Sequence, residues 1–162
     1  MSATAQVGTE ASRQRFERIL LASEGRPIPA EAIDRVIELA ADTGATVRVF
    51  TIARVHGVAF GMPNPGLLPT KREWAEQRDI VERAIRRLKR KGFEADGHVV
   101  GTRNATKQIL KEATSQGCQA IVMAADPDRN RVVGNALWTQ EPQRVRRRAK
   151  VPVFLVSDEH GE

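Results

Sequence analysis

Apolar positions along this chain fall into short continuous runs separated by segments with helical periodicity. "RILLAS" (Arg18 to Ser23), "TVRVFTIA" (Thr46 to Ala53) and "QAIVMAA" (Gln119 to Ala125) are runs dominated by apolar or β-branched residues, the pattern of strands buried on both faces. "FEADGHVVG" (Phe93 to Gly101) alternates more weakly and predicts a third strand near a sheet edge, and "VPVFLV" (Val151 to Val156) predicts a fifth.

Helices are predicted between the strands. Pro29 can open the first, Ile33, Val36, Ile37 and Ala40 recur at helical spacing through Ala41, and Gly44 supplies the stop. From Lys71 to Lys91, Trp74, Val81, Ala84, Ile85 and Leu88 lie on one stripe against charged faces, which predicts a long helix with Trp74 in the core. Asn104 is a plausible N-cap for a helix carrying Ile109, Leu110 and Ala113, ended by Gly117. A last short helix spans "TQEPQRVRRRAK", with Thr139 as N-cap and Pro142 in its first turn. The Gly- and Pro-rich "RVHGVAFGMPNPGLLPT" reads as a long loop without a regular element.

Strand and helix therefore alternate from end to end, which implies an α/β fold with a parallel sheet covered by helices on both faces. Residues 1–15 and 158–162 read as polar tails around a single domain, 16–157.

Composition adds few constraints. The 162 residues are 41% hydrophobic and 28% charged, an ordinary globular balance. A single cysteine, Cys118, excludes an internal disulfide, and no apolar run is long enough to span a bilayer. The expectation is a cytoplasmic protein without a membrane segment. Net charge is +6. Most basic residues interleave with acids; the exception, Arg144, Arg146, Arg147, Arg148 and Lys150, reads as a cationic last turn complementing the helix dipole. With no Tyr and few Trp or Phe, a nucleic-acid stacking surface is not expected.

The candidate chemistry gathers in "VMAADPDRNRVVGNALWTQEP" (Val122 to Pro142), a strand-to-helix loop. Asp126 and Asp128 read either as ligands, with Glu24, for a hard cation such as Mg²⁺, or as a type I turn around Pro127; the turn is the expected reading. Arg129 and Arg131 are the nearest candidates to neutralise them, and Trp138 reads as a loop anchor. His56, His98 and His160 have no metal-ligand spacing, and no nucleophile–base pair stands at usable spacing, so no catalytic residue and no enzymatic activity are expected.

The succession "RILLASEG", "ELAADTGATVRVFTIA", "VVGTRNATKQILKEA", "QAIVMAA" and "QRVRRRAKVPVFLV" resembles the universal stress protein family over Arg18 to Val156. The resemblance implies a three-layer α/β/α fold with a five-stranded parallel sheet in the order 3-2-1-4-5. It also implies a homodimer, here through Val151 to Val156. Nucleotide-binding members carry Gly-x2-Gly-x9-Gly-Ser/Thr after the fourth strand. In this chain the first two glycines fall on Ala124 and Pro127, and, counted back from Pro152 with about two residues extra in the loop, the closing pair falls on Thr139 and Gln140.

By the same resemblance, Glu24 stands where the family usually has Asp, and Ile52 where a valine often meets adenine. The crevice positions implied are thus Glu24, Gly25, Ile52, Ala124, Asp126, Thr139 and Gln140. The expectation is a stress-response module with no cofactor, acting on a protein partner that the sequence does not identify. ATP or ADP binding through an altered loop is the alternative.

Overall fold

The computed structural model describes residues 14–55, 58–59, 62–63, 68–127 and 140–158. Within them β1 (Arg18–Ser23), β2 (Thr46–Arg54), β3 (Ala95–Thr102), β4 (Ala120–Ala125) and β5 (Val153–Ser157) form one parallel sheet in the order β3-β2-β1-β4-β5. The helices are α1 (Ala30–Ala40), α2 (Lys71–Arg90), α3 (Ala105–Ser115) and α4 (Glu141–Arg148). The expected order 3-2-1-4-5 is the observed one.

Successive side chains of a strand point to opposite faces, and the two halves of the core follow that parity. Ile19 and Leu21 of β1, Val47 and Val49 of β2, and Ala120 and Val122 of β4 pack with Ala32, Ile33 and Val36 of α1 and Val81, Ala84 and Leu88 of α2. Their alternates Leu20, Ala22, Phe50, Ile52, Ile121 and Met123 pack on the other face with Ala105 and Ile109 of α3 and Val145 of α4. Taking a Leu or Ile side chain fully out of water contributes roughly 1.5–3 kcal/mol, so strands apolar on both faces are stable only when sandwiched.

The central register is continuous: Leu21 lies between Val49 and Val122. Because α1 and α2 cover one face and α3 and α4 the other, the connections leave β1 and β4 in opposite directions, which makes those two strands' C-terminal ends the switch point, the crevice position where sheets of this topology bind ligands.

Local signals set most element ends. Asn104 caps α3, accepting from the Lys107 amide, and Thr70 caps α2 through the Glu73 amide. Gly44 and Gly117 end their helices at φ +61° and +65°, as predicted. At the edge strand β3, Gly97 answers a different need. A Cβ there would stand 2.2 Å from Val81 Cγ1, so α2 lies on the strand only because that side chain is missing.

Three expectations are corrected. Trp74 is half-buried, not core: it sits in the first turn of α2 beside Gly101 of the edge strand. Gln77, absent from the expected stripe, is buried instead. The long loop also contains a regular element, a short antiparallel ladder of Val58–Ala59 with Met62–Pro63.

Candidate functional site at the β1–β4 crevice

The site is built from the four residues that leave β1. Ser23 turns the chain: its hydroxyl donates to the Arg26 carbonyl at 2.5 Å and accepts from the Gly25 amide at 3.2 Å. Gly25 adopts φ +124°, and a Cβ on it would press on Arg54 Nε and the Ile52 carbonyl, each at 3.3 Å. The carbonyls of this turn are tied down by other elements. Arg54, from the last position of β2, donates to the Glu24 carbonyl at 2.8 Å. Gln77 of α2 donates to the Gly25 carbonyl at 2.9 Å.

The turn folds two charged side chains into the protein. Glu24 and Arg26 are both 0% exposed. Arg26 Nε donates to Glu24 Oε1 at 2.5 Å, and Arg26 Nη1 donates to Asp126 Oδ1 at 3.2 Å. Arg26 follows β1 and Asp126 follows β4, so this guanidinium spans the C-terminal ends of the two strands between which the crevice lies. A second ion pair, Arg54 with Glu141 at the start of α4, extends the network across the sheet. Burial pushes the Glu24 carboxyl above its ordinary range, against the pull of the Arg26 guanidinium beside it. Among the described residues, Glu24 Oε2 and Arg26 Nη2 have no hydrogen-bond partner.

The positions named from sequence fall as follows. Glu24, Gly25 and Asp126 meet at the network. Ile52 is 0% exposed, and its side chain belongs to the core face shared with Phe50 and Ile109. Ala124 is a regular strand residue, paired with Val156 in the β4–β5 ladder. Gln140 is exposed, occupies the N-cap position of α4 and makes no side-chain cap bond there. Thr139, Asp128, Arg129, Arg131, Trp138, His56 and His160 lie outside the described residues.

The cation that faces Glu24 and Asp126 is a guanidinium of the chain itself. No group of three or more His, Cys, Asp or Glu side chains among the described residues could hold a metal ion. Cys118 is buried, and burial pushes its thiol up, away from nucleophilic use.

Sequence reasoning missed Arg26, Arg54, Gln77 and Glu141. Arg26 drew no reading from the sequence. One usable signal was its position: a charged residue three places after a strand buried on both faces, next to the predicted switch point.

The profile of the Universal stress protein family matches residues 15–157. No curated protein sequence matches the chain. Among solved structures it is similar to a universal stress protein family member from Burkholderia pseudomallei, with 22% identity over 91% of this chain and 98% of that one and a TM-score of 0.65. A universal stress protein from Lactobacillus plantarum gives 15% identity over 88% and 99%, with a TM-score of 0.69. One from Archaeoglobus fulgidus, solved in complex with dAMP, gives 17% over 89% and 100%, with a TM-score of 0.64. At these identities the structural likeness speaks to the fold, which the observed strand order shares. The family profile spans nearly all of the domain, and the chain belongs to the universal stress protein family.

Proposed function

We propose that this chain is a regulatory, stress-response module of its family, a binding protein and not an enzyme, that does not hold ATP through a glycine-rich loop. The observation that carries the reading is the Arg26–Asp126 bridge across the ends of β1 and β4, the place where sheets of this topology bind ligands.

The residues after β4 support it. A phosphate cradle needs inward-facing amides, often at positive φ. Ala124 is a regular strand residue in register with Val156, and its Cβ makes positive φ costly. Pro127 has no amide hydrogen to offer. Asp126 brings a carboxylate to the same spot.

The alternative is an adenine-nucleotide switch using the altered loop, and the dAMP complex of the Archaeoglobus fulgidus relative favours it. A thermal-shift series of the purified protein with ATP, ADP, AMP and cyclic AMP, with and without Mg²⁺, separates the two, because a ligand of the native state raises Tm. The module reading expects no shift at millimolar nucleotide; a saturable shift supports the switch.

The module is proposed to work as a homodimer through β5. Val153 to Val156 stay half-exposed, and as an edge strand β5 offers unpaired backbone groups on one side. A second copy would cover both. Its further partner is proposed to be a protein. No described helix is long and apolar enough to cross a membrane.

A further inference from the structure

Arg26 is an expensive residue to bury. Taking an arginine and a glutamate out of water is offset only if the pair is well bonded, and apolar residues of similar volume often give equal or greater stability. Here the bonding is incomplete: Arg26 Nη2 and Glu24 Oε2 are both buried and without partners among the described residues. Stability alone is therefore a poor reason for this arrangement. The geometry is instead that of a site with something in it. One carboxylate meets Nε along one edge of the guanidinium, a second carboxylate from another strand end meets Nη1, and both lie where the sheet topology opens its crevice.

We infer that Arg26 is a tethered occupant of the crevice, and that Glu24 and Asp126 make that crevice a guanidinium cage. This rests on the reading that the crevice does not serve ATP, and it goes further by naming the charge and shape of what the pocket accepts. A planar cation with N–H groups along two edges matches the two acids; an anionic phosphate in the same place would face both. The backbone of the cage is held independently of Arg26's charge, by Arg54 on the Glu24 carbonyl, Gln77 on the Gly25 carbonyl and Ser23 on the Arg26 carbonyl. The cage is thus expected to outlast removal of the guanidinium and to take up a free one.

The test is rescue of Arg26→Ala, read by scanning fluorimetry of the full-length chain. Ethylguanidinium chloride is titrated against an equal concentration of NaCl. Binding to the native state alone should raise Tm by about 3–6 °C at about ten times the Kd. The same titration should leave the wild type without a rise, because its site is filled, and should leave Glu24→Gln/Arg26→Ala without one, because half the cage is gone. No rise in Arg26→Ala, or an equal rise in the double variant, overturns the cage.

A measurement on the wild type covers the case in which Arg26→Ala does not fold. The Arg26 Nε–H should exchange slowly by NMR and lose that protection in Glu24→Gln; fast exchange in the wild type overturns the inference. The two readings fail separately. ATP binding by the wild type overturns the function proposed above, whereas failure of ethylguanidinium overturns only the cage.

Discussion

Replacing Arg26 with Met keeps most of the side-chain volume and deletes the charge. Glu24, 0% exposed, then loses the guanidinium bonded to its Oε1, and Asp126, whose side chain is 17% exposed, loses its bond to Nη1. Breaking a buried ion pair by removing one partner costs about 3–5 kcal/mol, because the other charge is left uncompensated. For a domain of this size that is a fall in Tm of about 6–20 °C.

The pH dependence carries a sign. Glu24's folded-state pKa is raised by burial, so the stability linked to it is fully present below its unfolded value and is lost as pH rises through the folded value. The Arg26 guanidinium is the strongest influence opposing that rise, so Arg26→Met should lose stability more steeply with pH than the wild type. Its deficit should be smaller in mild acid than at neutral pH. Glu24→Gln/Arg26→Met removes both buried charges and should fall within about 1 kcal/mol of the wild type. Urea unfolding followed by circular dichroism, at fixed protein concentration, reads all three. A loss under about 1 kcal/mol for Arg26→Met at neutral pH, or a double variant as damaged as Arg26→Met alone, would refute the reasoning.

Other expectations follow from the same coordinates. Gly97→Ala should cost about 1–3 kcal/mol through collision with Val81, and adding Val81→Ala should return part of it, both by chemical denaturation. Arg54→Met, which loses bonds to the Glu24 carbonyl and to Glu141, should lower stability by about 1–3 kcal/mol in the same assay. Cys118 should react slowly with a thiol reagent at neutral pH and rapidly once the chain is unfolded, since its buried thiol is pushed up. If β5 pairs with a second copy, light scattering should give twice the chain mass and Tm should rise with protein concentration; a monomer at micromolar concentration would exclude the pairing.

The fold was legible because parity and periodicity are one-dimensional signals. "ILLA" (Ile19 to Ala22) and "AIVMAA" (Ala120 to Ala125) are apolar at every position, and runs that short, bounded by turn residues, fit strands covered on both faces. Gly44, Asn104 and Gly117 marked element ends for reasons of local backbone chemistry. Trp74 was misjudged because periodicity reports which face of a helix is apolar, and not where the sheet beneath it stops. The candidate site was half legible. The position of the crevice follows from strand order, which alternation and the family resemblance supplied. Its contents do not, because Arg26 and Asp126 are 100 positions apart in sequence and meet only through the β1–β4 pairing. Asp126 meets Arg26 from the other strand end, a partner that reasoning along the chain does not reach; Arg129 and Arg131, the neighbours expected to neutralise the loop's aspartates, lie outside the described residues.

The central claim is that this crevice is filled by the chain's own charges and is not an ATP site. Isothermal titration of the wild-type protein with Mg²⁺-ATP tests it most directly. The account predicts no saturable heat at millimolar nucleotide; binding of one nucleotide per chain, weakened by substitution of Glu24 or Asp126, would contradict it.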